Sequence, residues 1–171
     1  MIEKQLQRIR AGFQRRREAI SEISFTYTRL HGLLPTLMRR LDAPLAEMLE
    51  RHRQADHAIH EGLVRIALEH GQPPVPTTCT AANALVEEVQ YALRGTRRGN
   101  VADGLLPALK DLRLFLIRAW GRLIQELNEE DLPEFRREAI ALQGREAEKH
   151  RDLVQLLPRL DDPDLSWIMQ A

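Results

Sequence analysis

A single cysteine, Cys79, is all the thiol this 171-residue chain carries, so no disulfide can form within it. That suits a reducing cytoplasm. Net charge is lacking too, because 25 Lys and Arg balance 25 Asp and Glu. Such a chain has no overall attraction for nucleic acid or an acidic membrane, and neither is expected as a partner. No apolar run approaches about 18 residues, which argues against a transmembrane helix. The opening MIEKQLQRIRAGFQRRREAI is too charged for a signal peptide. Strand signals are missing. So are a Gly-rich phosphate loop, a zinc-protease motif and a catalytic nucleophile, and no enzyme activity is expected.

What is present is helical periodicity. The stretch from Pro44 to His70 repeats Leu45, Met48, Leu49, Ala55, Ile59, Leu63, Ile66 and Ala67 on one face. Asp42 is placed to cap it and Pro44 to open its first turn. Residues 2–19 read as a basic amphipathic helix, with Ile2, Leu6, Ile9 and Phe13 on one side and the run Arg15–Arg17 beyond. From Ile20 the stripe Ile23, Tyr27, Leu30, Leu34 and Met38 continues to about Arg40, and Pro35 inside it should kink the helix or shift its register. GQPPVPTT at 71–78 stops the central helix and reads as an extended strap. A shorter helix follows over Thr80–Leu93, then the glycine-containing turn at 94–100 with Arg97 and Arg98. Both small arginine clusters read as solvated. Residues 101–128 form the next long helix, with a wholly apolar stripe of Leu105, Leu109, Leu112, Leu116, Ala119 and Leu123 and with Arg113 at its edge. The last long helix starts after Asp131, its expected cap, and runs to about Leu157. The tail from Pro158 carries Trp167 and Ile168, which suit a short docked helix. Cys79, near a helix start, is read as a small entry residue rather than as an activated thiol.

Three polar pairs interrupt the inner stripes, each one turn apart: Tyr27 with His31, His52 with Asp56, and Glu146 with His150. Burying imidazoles and carboxylates is costly without partners, so the pairs are expected to meet in one polar layer. Two explanations compete. Imidazoles and carboxylates from facing helices are how bundles hold iron, manganese or zinc, which makes His31, His52, Asp56, Glu146 and His150 candidate metal ligands. The other is a metal-free network in which histidines bond carboxylates, with no cofactor. His57, His60 and His70 read as surface residues.

The order of elements, Pro35 within LLPTLM, the segment EHGQPPVPTTCTAANALVEE and Ala-Trp-Gly at 119–121 resemble the YciF-type ferritin-like proteins over about residues 20–157. That resemblance implies a cytoplasmic helical bundle, usually dimeric and stress-associated, whose better-preserved members hold a di-metal carboxylate centre. It places the first-helix glutamate at Tyr27, second-helix ligands at Ala55 and Ile59, and the third long helix's Glu-x-x-Glu at Arg113 and Leu116. Glu146 retains the last-helix glutamate, His150 replaces an acidic position, and His52 matches a family histidine. Too few inward carboxylates remain for paired metals, so the centre is expected to be degenerate.

The expected fold is all-α, a ferritin-like four-helix bundle with additional terminal helices. The helix at 1–19 is followed by the bundle at 20–157 and the tail at 158–171. The expected function is that of a non-catalytic, homodimeric, cytoplasmic, stress-associated protein, with an unknown protein partner also open. A metal protein with a rebuilt His/carboxylate site is the alternative.

Overall fold

The computed structural model describes residues 2–94, 101–127 and 132–160, and among them every regular element is a helix. They are α1 (Ile2–Met38), α2 (Ala43–Glu69), α3 (Thr80–Arg94), α4 (Val101–Glu126) and α5 (Pro133–Leu160). The four long helices pack in a ring in which α1 touches α2 and α4, and α5 touches α2 and α4, while α3 lies against α1 and α4. Side-chain pairs fix the directions. Arg15 meets Glu126 and Arg122 meets Glu22, so α1 and α4 are antiparallel. Ser24 meets His60 and His31 meets His57, which makes α1 and α2 antiparallel. Arg65 meets Glu138 and His52 meets Asp152, which makes α2 and α5 antiparallel. Hence α2 and α4 run the same way, joined by one long crossover through the strap and α3. The four long helices thus run up, down, down and up, with a single long crossover between the second and third.

Spacing explains why each helix turns the face it does. In α1 the positions Ile20, Ile23, Tyr27, Leu30, Leu34 and Leu37 alternate by three and four residues, and all are fully buried. Leu45, Leu49, His52, Asp56, Ile59, Leu63 and Ile66 do the same in α2. At the end of α2, Gly71 takes φ of +67°, and the Gln72 amide donates back to the Ala67 carbonyl at 2.8 Å. This six-to-one bond is a Schellman stop, and its left-handed residue favours glycine. The strap is pinned where the Val75 amide donates to Ser21 Oγ at 3.0 Å.

Three local expectations change. The segments read as 2–19 and 20–40 are one helix, α1, of 37 residues and about 55 Å, with Pro35 inside it. The tertiary packing of Leu33, Leu34 and Leu37 around it offsets the lost backbone bond. Asp42 stands at the N-cap of α2, but its side chain makes no capping bond; Pro44 supplies the preformed first turn instead. The inner face of α4 is not wholly apolar, because Arg113 is buried within it. Asp131, Arg97, Arg98 and the residues Trp167 and Ile168 lie outside the described residues.

The first half of α1 is different from the second. Residues 2–18 are exposed apart from partial cover at Gly12 and Arg16. Arg15 Nε pairs with Glu126 Oε1 at 2.9 Å, and Arg16 Nη1 donates to the Glu126 carbonyl at 3.4 Å. Both guanidinium groups thus sit on the C-terminal end of α4, where the helix dipole favours cations.

Candidate functional site

Four ionisable side chains meet in the centre of the bundle. Asp56 comes from α2, Arg113 from α4, and Glu146 and Lys149 from successive turns of α5. Asp56 and Glu146 are 0% exposed, Arg113 1% and Lys149 3%, so water cannot screen them. Arg113 grips Asp56 with two parallel bonds, Nη1 to Oδ1 at 2.6 Å and Nη2 to Oδ2 at 2.9 Å. Planar guanidinium suits that bidentate contact. The same Nη1 reaches Glu146 Oε1 at 3.2 Å. Lys149 Nζ contacts Asp56 Oδ1 and lies 2.6 Å from Glu146 Oε2. Two cations and two carboxylates therefore cancel.

A second layer of donors completes the set. The Tyr27 hydroxyl donates to Glu146 Oε2 at 2.7 Å, and Trp120 Nε1 donates to the Tyr27 oxygen at 3.2 Å. Lys149 Nζ also stands 5.5 Å from the Tyr27 ring centre, within cation–π range. Of the three Arg113 nitrogens, Nε is buried without a partner.

Burial and charge pull the titrations in opposite directions. Burial by itself would raise the Asp56 carboxyl, but the Arg113 and Lys149 charges outweigh it and hold Asp56 below its ordinary range. Burial opposes charge on Arg113, and the Asp56 and Glu146 carboxylates more than compensate, leaving it firmly protonated. Lys149 is lowered, by burial first and the Arg113 charge second, against the pull of Glu146 and Asp56. Tyr27 is pushed well above the ordinary phenol range, by burial and then by the Glu146 charge, so it remains a proton donor.

Of the residues expected in a polar layer, Tyr27, Asp56 and Glu146 come together. Their three histidine companions do not join them. His52 is buried, but its Nε2 turns outward to Asp152 Oδ2 at 3.0 Å, and its Nδ1 has no partner. Burial pushes its pKa down, as does Arg113, with the Asp152 bond opposing. His31 sits at the edge of the α1 stripe, its ring edge-on to His57 at 5.4 Å between centres, and its Nε2 is unpartnered. His150 is half-buried on α5. Two histidines expected at the surface are more involved than that. His60 stacks 5.8 Å from the Tyr27 ring and shares a 2.8 Å hydrogen bond with Ser24 Oγ, while Nδ1 of His70 bonds the Ile66 carbonyl at 2.9 Å. The Cys79 thiol is pushed up, mainly by burial, which fits an entry residue and not an activated nucleophile.

Arg113 and Lys149 are the members that the chosen stripes pass over. The signal lies in a second three-four register that shares residues with the first. Leu142, Glu146, Lys149 and Leu153 follow it in α5, and Leu109, Arg113, Leu116 and Trp120 follow it in α4. On that register both cations point inward.

A metal ion here would need the lone pairs of Asp56 and Glu146, which already face a guanidinium and an ammonium. Among the described residues, no three His, Cys, Asp or Glu side chains are grouped so as to hold a metal ion. Among those residues, too, no helix is long and apolar enough to cross a membrane.

No family model matches the chain, and no curated protein sequence matches it. Among solved structures it is similar to YcfI from Rhodopseudomonas palustris, provisionally described as a structural protein. The TM-score is 0.72 at 18% identity, over 79% of this chain and 87% of that one. At such identity the likeness shows the fold, an all-α helical bundle.

Proposed function

We propose that this chain is a non-catalytic bundle protein of the YciF-like, ferritin-like kind, homodimeric, cytoplasmic and stress-associated, in which fixed cations occupy the place of a di-metal centre. One observation carries the reading: Arg113 and Lys149 stand between the two central carboxylates and use their lone pairs. A dication entering there would meet two positive charges held in a medium of low dielectric. The bundle's single long crossover supports the ferritin-like assignment, and the description of YcfI is in keeping with a structural role. The YciF resemblance puts a ligand glutamate at the position of Arg113, so a single replacement there converts an anionic ligand into a built-in cation.

The second reading, a rebuilt site for iron, manganese or zinc using His31, His52, Asp56, Glu146 and His150, draws on the unpartnered nitrogens of His31 and His52. Melting curves of tag-free protein, with chelator and with each metal, separate the two. A native-state ligand raises the melting temperature in proportion to the logarithm of its concentration over Kd. The expected result is no shift and no metal retained through dialysis. A rise of several degrees, lost in both His52→Leu and Glu146→Leu, would establish the second reading instead.

A further inference from the structure

The apolar stripe of α1 does not stop where the bundle stops. Ile2, Leu6, Ile9 and Phe13 follow at intervals of four, three and four residues, in phase with Ile20, Ile23, Tyr27, Leu30, Leu34 and Leu37. The later six are fully buried, whereas Ile2 is 76% exposed, Leu6 50%, Ile9 61% and Phe13 40%. Between the two sets, the position that continues the alternation is Arg16, whose guanidinium folds onto the end of α4. The arm beyond it is therefore two heptad-like turns of core-forming sequence with no core around it.

The sequence of the arm selects what covers it. Read against itself in the antiparallel sense, Ile2 faces Phe13 and Leu6 faces Ile9, so all four apolar layers are filled. The same alignment sets exposed Glu3 beside exposed Arg10 of the other copy, twice by symmetry, as an opposite-charge pair flanking the seam. A parallel pairing is sterically closed, because lower down that same face of α1 already holds α2 and α4. An anionic surface is a poorer match, since Arg15 and Arg16, two of the three arginines in the cationic run, are engaged with Glu126.

We infer that residues 2–13 of two copies form an antiparallel, self-complementary helical zipper that joins the bundles end to end. This rests on the homodimer reading above and specifies its interface.

The test uses the full chain. Sedimentation equilibrium is expected to give a dimer with a micromolar Kd, as suits a short seam. Leu6→Asp with Ile9→Asp should give a monomer with a native circular-dichroism spectrum. Arg10→Glu should weaken the dimer about tenfold, and Glu3→Arg combined with Arg10→Glu should restore it. In a Cys79→Ser background, Leu6→Cys chains mixed with Ile9→Cys chains should cross-link to each other far faster than to themselves; this readout stands even where the aspartate variant fails to fold. Preferential Leu6→Cys self-cross-linking would overturn the antiparallel arrangement. A dimer that persists in the aspartate variant would overturn the arm as interface while leaving the homodimer intact. A monomeric native chain would overturn both. So would a monomeric native chain whose arm binds phosphatidylserine–phosphatidylcholine vesicles in a salt-dependent way, which would assign the stripe to a membrane surface.

Discussion

Asp56 and His57 are neighbours in sequence and opposites in surroundings. Asp56 points into a closed cluster in which every charge has a partner. His57 points into an open groove of about 890 Å³, with His31, His60, Glu61, Arg65 and Arg145 along its walls. Both regions are rich in ionisable groups, yet they obey different rules. In the cluster each side chain is desolvated, so the loss of one strands the others. In the groove, solvent replaces any partner that leaves, and the His57–Glu61 pair at 3.0 Å is 60% and 69% exposed. The difference teaches that what matters is not how many charges gather but whether water can reach them.

The comparison breaks most sharply at Arg113. Arg113→Ala leaves two buried carboxylates with a single ammonium and should cost about 3–5 kcal/mol in urea unfolding. Replacing Asp56, Arg113, Glu146 and Lys149 together by Leu, Met, Leu and Leu should cost much less, since apolar packing of similar volume matches a buried ion cluster. A cost below about 1 kcal/mol for Arg113→Ala would mean that water enters the cluster.

Acid sharpens the comparison at intermediate cost. The folded pKa of His52 lies below its ordinary value, mainly through burial, so the unfolded chain takes up the proton first. Stability from that source is complete above about pH 6.5 and declines as pH falls below it. His31 and His60 are lowered by burial too and add to the same step. Asp56 is also depressed, so its contribution is present above the ordinary carboxylate range and is lost as pH falls through its folded value. Thermal melts across pH should thus fall in two stages, and His52→Gln should shrink only the first. An unchanged first stage would remove His52 from the account.

The smallest effect belongs to the groove. His57→Ala should change stability by no more than about 0.5 kcal/mol. A cost above about 2 kcal/mol would show the groove to be as closed as the cluster.

Much of this molecule is legible in its sequence, for physical reasons. Long amphipathic stripes admit few architectures, and Gly71 with the prolines after it marks the crossover, so the bundle follows from pattern. Tyr27, Asp56 and Glu146 are visible because polar residues on apolar stripes demand partners. Arg113 and Lys149 are harder to read. Each has a long, flexible side chain that usually carries its charge outward, and sequence periodicity fixes only where that chain begins. The histidines mislead for the opposite reason: a ring one turn from a buried polar residue need rotate only slightly around the helix to meet the rim, as His31 and His150 do. The unbroken passage of α1 through Pro35 is set by the packing of its neighbours, which local propensity does not contain.

The cluster also divides the chain in a way that bears on its assembly. The hairpin of α4 and α5 holds Arg113, Lys149 and Glu146, two cations and one carboxylate. Asp56, on the hairpin of α1 and α2, supplies the missing negative charge, and Tyr27 on that same hairpin supplies the last donor to Glu146. Neither half can be buried in electrical balance alone. Only docking in the native register brings the total to zero, and sliding one hairpin by a turn would leave an uncompensated charge in the interior. The ions at the centre thus serve as a lock and key between two halves of one chain, rejecting mispaired forms that apolar stripes by themselves would accept.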